Sequence, residues 1–316
     1  MLPVRLADGF PFPDAAALAD ATAEVAALPD GALVLVDGLA FGALPDIAER
    51  EAERLRLVAL VHHPLAYETG LDAAVAAGLL ASERRALSAA RAVLVTSATT
   101  ARTLHARYGV PATQLTVAVP GTEPRRPAAG SGGREVVVLA VGAVVPRKGF
   151  VALVDALAGL RDLRWRLEIA GRLERDPAAV TALRAAIARH ALEGRVALLG
   201  ELDDRALEER YHAADLFVSA ASYEGFGMAI AEAVAAGLPI VAVAGGAVAD
   251  WLDPRAALLV PPGEGHALRA ALRTAIGDSG ARARLHAGAA AARAALPSWA
   301  ETAAAADALL REVAAG

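Results

Sequence analysis

Short apolar runs rich in Val, Leu and Ile alternate along the chain with longer alanine-rich stretches. Uninterrupted apolar runs are typical of strands that are buried on both faces, and alanine favours helices in connections such as 178–191 and 204–213. The pattern predicts ten strands, at 32–36, 57–61, 92–96, 115–119, 136–141, 165–170, 196–199, 215–219, 239–243 and 257–260. Because helices separate the strands, we expect parallel sheets with helices on both faces, which is the α/β class.

One stretch without this alternation, residues 120–134, reads PGTEPRRPAAGSGGR and contains three Pro and four Gly. Such a composition predicts a linker rather than a helix or a strand. Its GSGG run precedes a strand instead of following one, so it does not fit a dinucleotide-binding loop. We therefore predict an amino-terminal domain over 1–125 and a carboxy-terminal domain over 134–296. Doubly wound sheets of this kind bind ligands outside the carboxyl ends of their strands.

Length and composition agree with two packed domains and narrow the range of partners. The chain has 316 residues, 56% of them hydrophobic, and domains of ~150 residues are typical. The net charge of −5 argues against a nucleic-acid partner, which would select a basic surface. Because the chain has no cysteine, disulfides and thiolate metal sites are excluded, and a cytoplasmic enzyme is expected.

No secretory leader is readable, because Asp8, Asp14, Asp20 and Glu24 interrupt the first thirty residues. The longest uncharged stretch, 233–249, is shorter than a membrane span requires. We therefore expect no transmembrane segment, whereas peripheral contact with a membrane stays open.

The segment 215–232, DLFVSAASYEGFGMAIAE, joins a predicted strand to a helix that begins near Gly227. Gly225 and Gly227 let main-chain amides approach a ligand closely, and the amino end of a helix favours an anion. Glu224 lies in the loop, while Glu232 lies one to two turns into the helix, where a carboxylate can accept both hydroxyls of a ribose. The alternative is that both acids only complement the helix dipole.

The two glutamates of EGFGMAIAE, Glu224 and Glu232, resemble the E-x7-E signature of family four glycosyltransferases. The resemblance continues, in the same order, through VGAVVPRKGF (141–150), LEIAG (167–171), RVALLGELDDRALEERYHAADLFV (195–218), GLPIVAVAGGAVAD (237–250) and ALLVPPGE (257–264). It implies the GT-B fold, with two facing doubly wound, Rossmann-like parallel sheets. It also implies a retaining hexosyltransferase that uses a nucleotide-sugar donor and an acceptor that the sequence does not identify.

The resemblance further implies which residues of the carboxy-terminal domain bind the nucleotide sugar. Glu232 would bind the ribose, and Glu224 would face the donor sugar. The sugar and phosphates would also meet the main-chain amides of Gly225, Phe226 and Gly227. The main chain around Val196 and Leu198 would meet the base.

Two cations complete the expected carboxy-terminal site. Lys148, in PRKG just after a strand, matches the family lysine that contacts the diphosphate, where a point charge would stabilise the leaving phosphate. The family often carries an arginine two residues after that strand; Ala143 stands at this place, and Arg147 is the candidate substitute. A solvated pair of charges at the start of a helix is the alternative for both residues.

In the amino-terminal domain, LVALVHHPLAYETGL (57–71) resembles the segment that carries the family's strand-end histidine, which faces the donor sugar. We prefer His62 to His63 for this role, with a plain structural histidine as the alternative for either. Neighbouring strand residues point to opposite faces, so the two histidines cannot readily hold one metal. The predicted catalytic set is therefore Glu224, Lys148, Arg147 and His62.

The chain contains no Asp-x-Asp triplet, the usual metal–diphosphate ligand of the other major glycosyltransferase fold. We therefore expect no metal and no cofactor beyond the nucleotide-sugar substrate, with Lys148, Arg147 and helix amino ends supplying positive charge. The family implies that the leaving phosphate itself helps to deprotonate the acceptor. Two alternatives stay open: a catalytically impaired relative that binds nucleotide sugars, and a GT-B epimerase that acts on them.

Complete members of the family open with a strand and a glycine-rich loop, and residues 1–13 match neither. We predict at most a strand fragment at 3–6 and a helix over 14–28, so the first domain is expected to lack its initial strand. An uncovered edge or face of the remaining sheet would favour a homo-oligomer through the amino-terminal domain. The resemblance also implies a closing helix over 298–314 that returns to the first domain, with Trp299 as a packing anchor.

Overall fold

The computed structural model describes residues 3–68 and 70–316. The chain forms two compact units, Met1–Pro120 with Ala300–Gly316, and Gly121–Trp299. The strands of the first unit are β1 (Leu33–Asp37), β2 (Arg56–Val61), β3 (Ala92–Val95) and β4 (Leu115–Val117). Those of the second unit are β5 (Val136–Val141), β6 (Trp165–Ala170), β7 (Val196–Gly200), β8 (Leu216–Ser219), β9 (Ile240–Val243) and β10 (Ala257–Val260).

Helices form most of the connections between the strands. They are α1 (Ala15–Ala26), α2 (Gly38–Phe41), α3 (Pro45–Glu51), α4 (Ala73–Ser88), α5 (Ala98–Thr103), α6 (Phe150–Ala158), α7 (Pro177–Arg189), α8 (Asp204–Ala213), α9 (Met228–Ala235), α10 (Val248–Trp251), α11 (Gly265–Gly277), α12 (Ser279–Ala292) and α13 (Trp299–Ala315). Single turns of 3-10 helix lie at Leu65–Tyr67, Ala112–Gln114, Pro146–Lys148 and Arg293–Ala295, and a π-helical turn lies at Leu104–Tyr108.

Aspartate begins six of these helices. The side chains of Asp14, Asp37, Asp72, Asp176, Asp203 and Asp278 each accept a hydrogen bond from a main-chain amide of the first turn. Such a bond satisfies an amide that has no partner inside the helix. The positions of these aspartates in the sequence therefore determine where these helices begin.

The first unit contains a parallel sheet with the order β1-β2-β3-β4. On one face, Val34 and Val36 of β1 pack with Val25 of α1 and Val61 of β2. The other face packs against α13 through Leu309. Both faces of the sheet are therefore packed, and of the predicted uncovered edge or face the face is not found. Among the described residues β1 pairs only with β2, so its outer edge has no partner strand. Self-association through this edge stays a prediction.

The second unit has the strand order β10-β9-β8-β5-β6-β7, with all strands parallel. Val138 and Ala140 of β5 belong to the core on one face of this sheet, whereas Leu139 belongs to the core on the other. Burial on both faces explains why the sequence of β5 is an unbroken apolar run. The order reverses between β5 and β8, so a crevice is expected outside the carboxyl ends of these two strands.

All ten predicted strands are confirmed, with ends that differ by at most two residues. Residues 3–6, where at most a strand fragment was predicted, form no strand; Leu6 packs beside Phe10 and Val36. Trp299 is not the packing anchor that was expected, since it is 47% exposed. The buried residue of α13 is Leu309.

The glycine- and proline-rich segment 120–134 forms neither helix nor strand, and from Gly121 onward it belongs to the second unit. The amides of Ala128 and Ala129 donate to the carbonyls of Ala236 and His212 at 2.8 and 2.9 Å. These bonds fix the course of the segment. Among the described residues, no helix combines the length and the apolar composition needed to cross a membrane; the expected cytoplasmic location stays a prediction.

Candidate active site

The loops after β5 and β8 bring opposite charges together at the point where the strand order reverses. Nζ of Lys148, from the loop after β5, lies 2.6 Å from Oε1 of Glu224, from the loop after β8. Nη1 of Arg147 lies 3.4 Å from Oε2 of the same carboxylate. The side chains of Arg147 and Lys148 are only 14% and 19% exposed. They are therefore not the solvated pair that was the alternative.

Glycine and main-chain bonds position the two cations. Gly142 has φ +150°, and a Cβ there would lie 3.0 Å from Cε of Lys148, so the lysine stem runs over a residue that has no side chain. The carbonyl of Arg147 accepts from the amide of Ser222 at 2.9 Å, and its guanidinium donates to the carbonyl of Tyr223 at 2.8 Å. These bonds join the loop after β5 to the loop after β8.

The main chain of Glu224 is held by the loop that follows β9. Its amide donates to the carbonyl of Gly245 at 3.3 Å, and its carbonyl accepts from the amide of Ala247 at 2.9 Å. Gly246 has φ +69°, and a Cβ there would lie 2.2 Å from the carbonyl oxygen of Glu224. Since Glu224 is also buried, its carboxylate occupies one place between the two cations.

The start of α9 is built as predicted, with Gly227 in the left-handed conformation at φ +98°. Phe226 is buried and stacks on Trp251 with ring centroids 5.0 Å apart, and the Trp251 indole donates to the carbonyl of Phe226 at 2.9 Å. Gly225 is half-buried. Among the described residues, no side chain caps α9, which leaves its first amides able to bind an anion.

Glu232 lies in the second turn of α9 and belongs to a second group of charges. Its Oε2 lies 2.8 Å from the hydroxyl of Tyr211 and 3.2 Å from Nη2 of Arg125. Tyr211 is fully buried on α8, and burial, together with the charge of Glu232, raises its pKa well above the ordinary value. The phenol therefore stays protonated and able to donate.

Arg125 was not predicted as a site residue. It comes from the segment that the composition indicates is a linker, and its guanidinium also contacts Oε2 of Glu208 at 2.6 Å and lies 4.5 Å from the centre of the Tyr211 ring. No periodicity or motif in PGTEPRRP signals these contacts.

Val196 and Leu198 lie in β7, one of the two edge strands of the second sheet, and pair with Leu167 and Ile169 of β6. β7 is two strands away from β5. Contact of their main chain with a base stays a prediction.

The first unit contains a histidine–aspartate pair at the carboxyl ends of β1 and β2. Nε2 of His62 lies 3.2 Å from Oδ2 of Asp37, and His62 is 55% exposed. The hydrogen bond with His62 lowers the pKa of Asp37. His63 instead approaches Glu68, with Nε2 and Oε2 3.5 Å apart. Asp37 was not predicted, although its place at the end of a strand beside β2 is the signal that could have identified it.

The two parallel-sheet units define a protein of the GT-B class. Similar solved structures support this assignment. Sucrose-phosphate synthase from Thermosynechococcus elongatus aligns with a TM-score of 0.79 at 23% identity, covering 94% of this chain and 77% of that one. Anabaena HepE in complex with UDP and glucose aligns with a TM-score of 0.76 at 21% identity, covering 93% and 81%. At these identities the likeness shows the fold alone.

Residues 122–292 match the family described as glycosyl transferases group 1, and the chain belongs to this family. Mannosylfructose-phosphate synthase of Agrobacterium fabrum is 35% identical over 133 residues, which cover 40% of this chain and 29% of that protein. A D-inositol 3-phosphate glycosyltransferase of Xylanimonas cellulosilytica is 36% identical over 157 residues, covering 49% and 37%. The matches thus span about a third of these relatives' length.

Proposed function

We propose that this protein transfers a hexose from a nucleoside diphosphate sugar to an acceptor, with retention of configuration at the anomeric carbon. The main observation that supports this proposal is the ion pair of Lys148 and Glu224, which lies at the point where the strand order of the second unit reverses. Ligands of doubly wound sheets bind at this place, and a diphosphate is an anion that a lysine can hold there. The two relatives described above are named for sugar transfer or for a sugar phosphate product.

Lys148 would act on the leaving group. Without a ligand its ammonium is held by Glu224, and an entering diphosphate would compete for it. Arg147 contacts the same carboxylate and the Tyr223 carbonyl, so Glu224 would keep a cationic partner when Lys148 turns to the phosphate. This exchange avoids leaving a buried carboxylate unpaired, which would cost about 3–5 kcal/mol.

The proposed reaction breaks the bond between the anomeric carbon and the diphosphate oxygen and forms a bond from that carbon to the acceptor oxygen. The acceptor proton passes to an oxygen of the leaving phosphate. Lys148 stabilises the negative charge that develops on the diphosphate, and Glu232 accepts hydrogen bonds from the ribose hydroxyls. Since two side-chain cations lie at the site, we propose that turnover needs no metal.

Hexose and base are to be identified by screening UDP-, GDP- and ADP-sugars for thermal stabilisation of the protein, since binding to the folded state raises the melting temperature. The ligand found is then titrated into Glu232→Ala by calorimetry. Loss of hydrogen bonds to a charged group predicts an affinity lower by roughly tenfold to a hundredfold.

The matched control is Glu209→Ala, an exposed glutamate that pairs with Arg126 on the surface of α8. It should bind like the unmodified protein. Equal affinities of Glu232→Ala and Glu209→Ala, with both variants folded, would remove Glu232 from the nucleotide site.

Product analysis separates the proposal from its two alternatives. Transfer to an added acceptor sugar or sugar phosphate, followed by NMR of the new anomeric proton, tests both transfer and retention. Interconversion of two nucleotide sugars without an acceptor would identify an epimerase. Binding without turnover of any donor would identify a catalytically impaired relative.

A further inference from the structure

Among the described residues, the contacts to the carboxylate of Glu232 on α9 are made at one of its two oxygens. The hydroxyl of Tyr211 and Nη2 of Arg125 both approach Oε2 of Glu232. The Tyr211 hydroxyl also lies 3.2 Å from the carbonyl of Ala229. Because a phenol carries one proton, the shorter and charge-assisted bond to Glu232 is the one that it donates. Two contacts on one oxygen leave Oε1 of Glu232 to accept from a ligand.

The position of Arg125 is itself determined by several contacts. Glu208 accepts from Nη1 of Arg125 with one carboxylate oxygen and from the amide of Arg126 with the other, at 2.6 and 2.8 Å. The carbonyl of Arg125 accepts from the guanidinium of Arg293. Hydrogen bonds of both the main chain and the side chain therefore hold the segment 120–134 in place at Arg125.

Because the guanidinium of Arg125 is largely removed from water, it needs these contacts to compensate for its lost hydration. The Arg125 side chain is 15% exposed, and its Nε has no hydrogen-bond partner among the residues that the structure describes. A guanidinium removed from water is stable only when acids and aromatic faces compensate. Here the compensation comes from Glu208, Glu232 and the ring of Tyr211, so the guanidinium has one orientation.

We infer that Arg125 is a positioning residue of the nucleotide site. Together with Tyr211 it holds Oε2 of Glu232, so that Oε1 is presented to the hydroxyls of a ribose. Without Arg125, Glu208 and Glu232 would lose the cation between them, and Glu232 would be free to change rotamer. The inference rests on the proposed function, and it assigns to the segment at 120–134 a part in ligand recognition.

The test compares a nucleoside diphosphate with its 2′,3′-dideoxy analogue by calorimetry, using the nucleotide that the unmodified protein prefers. The unmodified protein should bind the ribonucleotide roughly tenfold to a hundredfold more tightly, because only that ligand has hydroxyls for Glu232. Arg125→Met should lower this ratio about tenfold, through weaker binding of the ribonucleotide, with the affinity of the dideoxy analogue within about twofold.

Two single variants and one double-variant comparison separate a positioning role of Arg125 from a structural one. Arg126→Met removes the neighbouring exposed arginine, which pairs with Glu209, and should leave the ratio unchanged. Tyr211→Phe keeps the buried ring and removes only the hydroxyl, and should lower the ratio about threefold. Because Phe fills the same space, this variant keeps the test decisive even if Arg125→Met does not fold. In a Glu232→Gln background, Arg125→Met should have no further effect on the ratio.

Four outcomes would overturn the inference. If folded Arg125→Met binds both ligands like the unmodified protein, Arg125 does not position Glu232 although the protein binds nucleotides; if Arg125→Met does not fold, the same result for Tyr211→Phe overturns the inference. If both ligands weaken equally, the role is structural only. If the unmodified protein does not distinguish the two ligands, Glu232 does not read the ribose. If it binds no nucleotide at all, the proposed function fails as well.

Discussion

Nζ of Lys148 lies 2.6 Å from Oε1 of Glu224, although the two residues are 76 positions apart in the chain. They meet because the second sheet reverses its strand order between β5 and β8, which places the loops after these strands side by side. The pair keeps a cation at the place where doubly wound sheets bind their ligands. An anionic ligand therefore finds a cation already desolvated and held in position.

Replacing Lys148 by methionine should lower kcat of sugar transfer by about 10²–10³, the size of effect expected when one group that stabilises developing charge is removed. Methionine keeps the apolar stem over Gly142 and removes the charge. The measurement is steady-state kinetics with the donor found by screening. Arg189→Met serves as control, because Arg189 is an exposed cation of α7 that pairs with Asp155; a loss of the same size there would show that Lys148 has no special role.

Turnover should survive removal of divalent metal. Lys148 and Arg147 both contact Glu224 at the site and supply the positive charge that a diphosphate requires. Activity is measured after dialysis against EDTA, and then after magnesium or manganese is added back. Complete inactivation that is reversed by the metal would show that the diphosphate is neutralised by an ion instead of by these side chains.

His62 and His63 should respond differently to substitution. His62 is 55% exposed and is oriented by Asp37, whereas His63 is 23% exposed and approaches Glu68. An exposed side chain with a fixed orientation is available to a ligand. His62→Ala should therefore lower kcat about tenfold, the size of effect expected for the loss of one hydrogen bond in the transition state. His63→Ala is the matched control, and equal losses in the two variants would contradict the preference for His62.

The strands could be predicted because a strand that is buried on both faces has an unbroken run of apolar residues in the sequence. In β5, Val138 and Leu139 are both fully buried, although they belong to the cores on opposite faces of the sheet. A strand covered on both faces must therefore be apolar at every position. The fragment at 3–6 has no such continuity, and there Leu6 joins a small cluster with Phe10.

The candidate site could be predicted only in part. Glu224, Glu232 and Lys148 were identified from a resemblance in motif, and the approach of Lys148 to Glu224 depends on strand order, which no local pattern encodes. Arg125 lies in a segment without periodicity, so its contact with Glu232 follows from the course of the main chain. Asp37 was missed although the carboxyl ends of β1 and β2 are neighbours, a relationship that the predicted parallel sheet contained.

Stability of the first unit should depend on the protonation of Glu83. This residue of α4 is buried, with Oε2 accepting from the amide of Leu65 at 2.9 Å. Burial raises the pKa of Glu83 from 4.5 to about 7, against the opposing effect of the Leu65 amide. The folded protein therefore binds this proton more tightly than the unfolded chain. The resulting stability is fully present below pH 4.5 and is lost as the pH rises through about 7.

Glu83→Gln should remove this dependence, because an amide cannot lose the proton but can still accept from Leu65. The melting temperature of the variant minus that of the unmodified protein should rise between pH 5 and pH 8, by an amount equivalent to at most about 3 kcal/mol.

Glu49→Gln is the matched control on the surface. The hydrogen bond with Arg85 lowers the pKa of Glu49, so its contribution is lost only as the pH falls below the ordinary glutamate range. The control difference should therefore stay flat from pH 5 to pH 8. A flat difference for Glu83→Gln as well would mean that Glu83 does not change its protonation on folding.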